Sequence, residues 1–257
     1  MTADRPVEVV PDADALAEAA ARRFAAAAES AIRARGRFVV ALSGGNTPRG
    51  AYQRLAQGRS GLTVAWPQVQ VCWGDERCVP PDHAESDYRM ARETLLDHVG
   101  IPPANVHRIR GEDDPAAAAR AYEAVLRALC ETPAGPPRAV PGASFDLVLL
   151  GLGPEGHTAS LFPASGALTE GSRWVMAEYG GTDPRVWRIT LTPPVINAAG
   201  EVLFLVSGRA KAAILRRVLE GPRLPRELPA QAIAPSRGRL RWLVDQAAAA
   251  ELGVGAS

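Results

Sequence analysis

Four apolar runs, "RFVVAL", "VQVCW", "FDLVLL" and "EVLFLVS", each give way at once to a turn and then to helix-forming sequence. This alternation constrains the chain more tightly than any other feature. Runs of this length and composition read as buried strands, and strands alternating with helices build an α/β fold. Its core is a mostly parallel sheet flanked by helices on both faces. In such sheets ligands sit beyond the carboxyl ends of the strands, and four loops of this chain are predicted to fall there.

The remaining elements follow from local signals. From Asp12 to Arg35, Leu16, Ala20, Phe24, Ala27 and Ala31 recur at helical spacing, and Gly36 ends that helix. Thr47 is placed to cap a helix whose first residue is Pro48. Ser86 is expected to cap a helix through Val99, "VHRI" reads as a short strand, and Pro115 opens a helix through Cys130 with Tyr122, Val125, Leu126 and Leu129 inward. "TPAGPPRAVPGAS" reads as an irregular surface connection. Strands are expected from Trp174 to Glu178, at "VWRITLT" and at "RLRWLVD", with a helix from Arg209 to Leu219. No internal repeat interrupts the series, so residues 1–257 are read as a single α/β domain.

Composition narrows the function classes. Hydrophobic residues make up 47% and charged ones 22%, enough for a sizeable core. A net charge of +1, with no run of like charge, gives no indication of a nucleic-acid or membrane partner. The apolar runs are too short to span a bilayer, and "MTADRPVEVVPDADALAEAA" lacks a secretory pattern, so a cytoplasmic protein is expected. Cys72, Cys78 and Cys130 are odd in number without C-x-x-C spacing, and His83, His98 and His107 share no ligand spacing, so no metal is expected. Of the 29 basic residues only Lys211 is lysine. In a chain that uses arginine wherever either serves, that position marks a need for a compact ammonium.

The chemistry lies in the four loops. In "SGGNTP", backbone donors of Ser43, Gly44, Gly45, Asn46 and Thr47 before a helix suit an anion, though a tight turn explains the glycines too. In "GDERCVP", Asp75, Glu76 and Arg77 leave a buried strand, and Arg77 offers a planar fork for phosphate or carboxylate; a local ion pair is the plain alternative. In "GLGPEGHTASLFP", Gly151, Gly153 and Gly156 spell the dinucleotide fingerprint G-x-G-x-x-G. Pro163 denies it the long helix a pyrophosphate needs, so the glycines are expected to serve His157 instead, at the start of a short helix. An ordinary imidazole pKa, about 6.5, suits a general base. In "VSGRAKAAIL", Arg209 and Lys211 stand at a strand-to-helix junction, and Arg188 in "VWRITLT" adds another cation.

With these residues in hand the chain resembles the 6-phosphogluconolactonases. The likeness runs nearly end to end, through "ALSGGNTPRGAY", "WGDERCVPPDHAESDYRMARETLL", "FDLVLLGLGPEGHTASLFP", "RITLTPPVINAA" and "LFLVSGRAKAAIL", and "GHTASLFP" with "DER" is its most specific part. The resemblance implies hydrolysis of 6-phosphoglucono-1,5-lactone, a sugar-phosphate lactone, in the oxidative pentose phosphate pathway. It implies a fold shared with glucosamine-6-phosphate deaminase and ribose-5-phosphate isomerase, with no cofactor. Monomer and weak homodimer are both left open. Two positions depart from the family pattern, which usually has Asp at Glu155 and Asn at Asp87.

On this reading His157, with Glu155 and Asp75, forms the catalytic group. Ser43 to Thr47, Arg77, Gly156, Thr158, Arg188, Arg209 and Lys211 would bind substrate. The rivals are a glucosamine-6-phosphate deaminase, an NAD-dependent oxidoreductase and a non-catalytic sugar-phosphate sensor. The deaminase pattern places Tyr where Arg77 stands and Ile-Ala-Phe-Asn after Gly-His, so "DER" and "GHTASLF" favour the lactonase.

Overall fold

The computed structural model describes residues 7–58, 62–131, 145–181 and 185–253. In chain order the elements are β1 (Val7–Val10), α1 (Ala13–Arg35), β2 (Phe38–Leu42), α2 (Asn46–Gln57), β3 (Val69–Trp73), β4 (Asp75–Arg77), α3 (Asp87–Thr94), α4 (Pro115–Glu131) and β5 (Leu147–Leu150). They continue with α5 (Gly166–Thr169), β6 (Val175–Gly180), β7 (Val186–Leu191), α6 (Pro193–Asn197), β8 (Glu201–Val206), α7 (Ala212–Glu220), β9 (Arg239–Asp245) and α8 (Gln246–Ala249).

Six strands form one parallel sheet in the order β1-β9-β8-β5-β2-β3. All five residues of β2 and all four of β5 are buried, as strands covered by helices on both faces must be. A second sheet, β4-β7-β6, is antiparallel throughout. The "DER" segment, read from sequence as a loop, is its edge strand, paired Asp75 to Thr190 and Arg77 to Arg188. One hydrophobic cluster, running from Leu16 and Phe24 of α1 through β2 and β5 to Trp242 of β9, joins these elements.

Several local expectations hold and several fail for identifiable reasons. Asp12 caps α1, its carboxylate accepting from the Ala15 amide, and Gly36 closes that helix at φ 72°. Ser86 caps α3 as expected, but that helix stops at Thr94 and a 3₁₀ turn, Leu96–His98, follows. Thr47 is not a cap: α2 begins at Asn46, and Gly45, at φ 98°, takes the capping position without any side-chain bond. "VHRI" contributes only a single bridge, Val106 to Val71. Val125 is 41% exposed, so the inward stripe of α4 is narrower than its apolar residues suggest. Arg209–Lys211 form a 3₁₀ turn ahead of α7. The "TPAGPPRAVPGAS" connection lies outside the described residues.

Asp146 ties the first helix to the sheet. Its Oδ1 accepts from Arg35 at 2.6 Å and its Oδ2 from the Val39 amide at 2.8 Å, with both ionic side chains about nine-tenths buried. Removing one partner of a buried pair leaves the other charge uncompensated. Asp146→Ala is therefore expected to cost about 3–5 kcal/mol of stability. The measurement is a lower urea midpoint at an unchanged m-value.

Candidate functional site

The four loops converge. A cavity of about 450 Å³ opens at the carboxyl edge of the parallel sheet, and Ser43 to Thr47, Asp75, Arg77, Gly151, His157, Thr158, Arg188 and Lys211 all line it. Three predicted residues lie outside the lining: Arg209 is exposed, Gly156 is buried behind the loop against Leu228, and Glu155 stands behind the His157 ring. Strand order explains the layout. The loop after β5, bearing His157, stands between the loop after β8, bearing Lys211, and the loop after β2, bearing Gly44.

The glycine fingerprint serves the imidazole. A methyl group on Gly153 would lie 2.0 Å from Cε1 of His157, so the ring rests where a side chain would be. The loop closes on itself: the Gly153 amide donates to the His157 carbonyl at 2.8 Å, and the Thr158 hydroxyl donates to the Gly151 carbonyl at 2.9 Å. Gly156 sits at φ 83°, which a side chain rarely adopts. No helix starts at His157; the first after it is the four-residue α5, far too short to present a pyrophosphate site. Space and helix length together exclude the dinucleotide reading of this loop.

Nδ1 of His157 lies 3.0 Å from Oε2 of Glu155, off the line of a good hydrogen bond, and neither atom has another partner. The extra methylene of Glu155 therefore still brings a carboxylate to the ring. The ring also packs on Phe162, centroid to centroid 4.8 Å. With Nδ1 turned inward to Glu155, Nε2 is the nitrogen left for the cavity.

The strand "DER" sorts its charges by period two, so Asp75 and Arg77 share one face and Glu76 takes the other. Asp75 is buried and accepts from the Ser160 hydroxyl at 2.6 Å. Glu76, also buried, turns to the start of α3 and accepts from the Ser86 hydroxyl and from the amides of Arg77, Asp87 and Tyr88. Burial pushes its carboxyl pKa up, against those four hydrogen bonds. Arg77 donates to Asp87 Oδ1 at 2.7 Å and to the Glu85 carbonyl at 2.9 Å. Arg188 faces Arg77 across the ladder, its guanidinium 5.6 Å from the Phe162 ring centre and its buried Nε without a partner among the described residues.

The β2–α2 loop is held from beneath by Tyr52. The Ser43 amide donates to the Tyr52 hydroxyl at 3.0 Å, and that hydroxyl donates to the Ser43 carbonyl at 2.8 Å. The Ser43 amide is thus engaged within the protein. Lys211 makes no ion pair among the described residues; burial pushes its ammonium pKa down, opposed by Glu155. Sequence reasoning left Asp87 out of the site, although it is buried, lines the cavity and touches Arg77. Among the described residues no three His, Cys, Asp or Glu side chains are grouped to hold a metal ion.

Fold and site define an α/β protein in which the ends of the parallel sheet and the adjoining antiparallel ribbon gather an imidazole and three cations around one small cavity. The chain belongs to the family described as glucosamine-6-phosphate isomerases/6-phosphogluconolactonase, whose model matches residues 11–242. A Synechocystis 6-phosphogluconolactonase is 43% identical over 86% of this chain and 88% of its own. One from Mycobacterium tuberculosis is 41% identical over 96% and 98%. Among solved structures, the 6-phosphogluconolactonase from Trypanosoma cruzi superposes with a TM-score of 0.84 at 31% identity, covering 98% of each chain. A monomeric glucosamine-6-phosphate deaminase superposes at 0.80 with 21% identity over 96% of this chain and 99% of its own, a likeness of fold alone.

Because the imidazole occupies the space over Gly153, Gly153→Ala must displace it. A displacement of about 1 Å costs on the order of 10² in rate. The expected outcome is that loss in kcat with a cooperative unfolding transition retained, measured by steady-state kinetics beside circular dichroism.

Proposed function

We propose that the chain hydrolyses 6-phosphoglucono-1,5-lactone to 6-phosphogluconate, as its relatives' names describe, and that His157 is the general base. The observation that carries this reading is the convergence of His157, Arg77, Arg188 and Lys211 on one cavity, although they are scattered through the sequence.

In this mechanism Nε2 of His157 takes a proton from a water molecule as its oxygen adds to the lactone carbonyl. Glu155 orients the ring through Nδ1 and favours the imidazolium that forms. The carbonyl becomes an oxyanion facing amides of Gly44, Gly45 and the uncapped start of α2, whose dipole adds to them. The bond from the acyl carbon to the ring oxygen then breaks, and the imidazolium returns its proton to the departing oxygen. General-base help contributes about 10²–10⁴ and each oxyanion donor about 10²–10³, terms that suffice for an activated ester.

Lys211 takes the phosphate: it makes no ion pair among the described residues and lines the cavity from the β8 side, apart from the Arg77–Arg188 ladder. Arg77, already engaged by Asp87, and Arg188 hold the opposite side, where sugar hydroxyls and the nascent carboxylate lie. Asp75, fixed by Ser160, offers its second oxygen to a hydroxyl. Arg209, outside the cavity, has no part. We read residues 1–257 as one catalytic domain acting in the cytoplasm on a small molecule, as a monomer or weak homodimer, without nucleic acid or membrane.

His157→Ala is expected to lower kcat by about 10² or more with little change in KM. The assay generates the lactone in place with glucose-6-phosphate dehydrogenase and follows 6-phosphogluconate after subtracting spontaneous hydrolysis. Turnover near that of the wild type would remove His157 from the base role. Lys211→Ala is expected to raise KM for the phosphorylated lactone far more than for unphosphorylated glucono-lactone; equal effects on both would place the phosphate elsewhere.

A further inference from the structure

The cavity that collects cations also contains a buried carboxylate that opposes any anion entering it. Asp87 is 4% exposed and lies so close to the β2–α2 loop that a methyl on Gly44 would fall 1.8 Å from its Oδ1. That same oxygen accepts from Arg77 at 2.7 Å. Its amide is fixed by Glu76, so the carboxylate has little freedom to leave. The charged and titratable groups around it are Asp75, Glu76 and Arg77 of β4, Arg188 of β7 and the Tyr52 phenol of α2, with His157 and Lys211 elsewhere on the cavity wall.

We propose that Asp87 is a proton-gated counter-ion to Arg77. Ionised, it holds the guanidinium and repels an incoming anion; protonated, it leaves the arginine's charge to that anion. Asp87 is thereby a positioning residue that sets how anion affinity varies with pH. Burial, with Asp75 beside it, pushes the Asp87 carboxyl pKa well above its ordinary value, while Arg77 and Arg188 pull it down. The transition thus lies above the usual carboxylate range, and affinity falls as pH rises through it. This rests on the cavity being an anion site and not on the lactone chemistry.

The test is isothermal titration calorimetry of the full chain with sulfate, a dianion throughout the range, from about pH 5 to about pH 9. Wild type is compared with Asp87→Asn, which keeps an oxygen for Arg77 but drops the charge. The two proteins differ only at position 87, so the ratio of their dissociation constants isolates the effect of that carboxylate. That ratio, wild type over variant, is expected to climb with pH to about tenfold, a difference of about 1.4 kcal/mol. A ratio flat across the range, tighter binding by wild type, or no sulfate binding to wild type would overturn the proposal. Should Asp87→Asn lose its cooperative unfolding transition, Asp87→Ser carries the same comparison. A climbing ratio in a protein without lactonase activity sinks the hydrolytic reading alone; an active enzyme with a flat ratio sinks this one alone.

Discussion

Glu76 is the buried charge on which the cationic half of the site depends. A carboxylate removed from water is costly unless its lone pairs are used, and here four donors from β4 and the first turn of α3 use them. The negative group also sits at the positive end of that helix. The consequence is geometric. With Glu76 committed to α3, strand alternation leaves Asp75 and Arg77 no choice but the opposite face, over the cavity. The same anchor draws Asp87 against Gly44 and brings it within reach of Arg77.

The other half depends on absence. Gly153 is required because a side chain there would occupy the place of an imidazole, and Gly44 because one there would occupy the place of a carboxylate. At both, a side chain from elsewhere lies directly against the glycine backbone, in the space a Cβ would take. A pattern that can also mark close approach to a pyrophosphate marks close approach to His157 here. The physical requirement is the same in both cases, which is why the motif alone does not discriminate between them.

Much of this was legible in the amino-acid sequence, and the failures share a cause. The buried strands, the cap at Ser86, the helix end at Gly36 and the loops bearing Gly44, His157 and Lys211 follow from local pattern, because burial on both faces and capping are local demands. The strand "DER" was not legible: three residues carry no periodicity, and only β7 lying alongside makes them a strand. Val125 looked inward because it is apolar at helical spacing, but where the stripe ends depends on what packs against α4. Thr47 lost the cap to Gly45 because the loop reaches Asn46 already turned. Lys211 stands out as the lone lysine with Arg209 beside it at the same junction, and the path of the 3₁₀ turn puts only Lys211 in the cavity lining. Asp87 was seen as a departure from a family pattern without a role, since its partner Arg77 lies ten residues away across a loop.

Two carboxylates, Asp75 and Asp87, stand among the cations of the cavity, and the antiparallel ladder explains why. Arg77 and Arg188 are direct partners on the antiparallel ladder, and like charges in that register destabilise a pair of strands. Neither guanidinium can be neutralised by losing a proton. Within the protein the compensating charge comes from Asp87 beside Arg77, with Asp75 near it. An amide at position 87 would preserve the hydrogen bond but leave two guanidiniums facing each other, one of them with an unpartnered Nε. The carboxylate proposed to oppose an anion at Arg77 is therefore also what lets the two arginines share one ribbon. On that proposal, one side chain sets the stability of the ribbon against affinity for an anion.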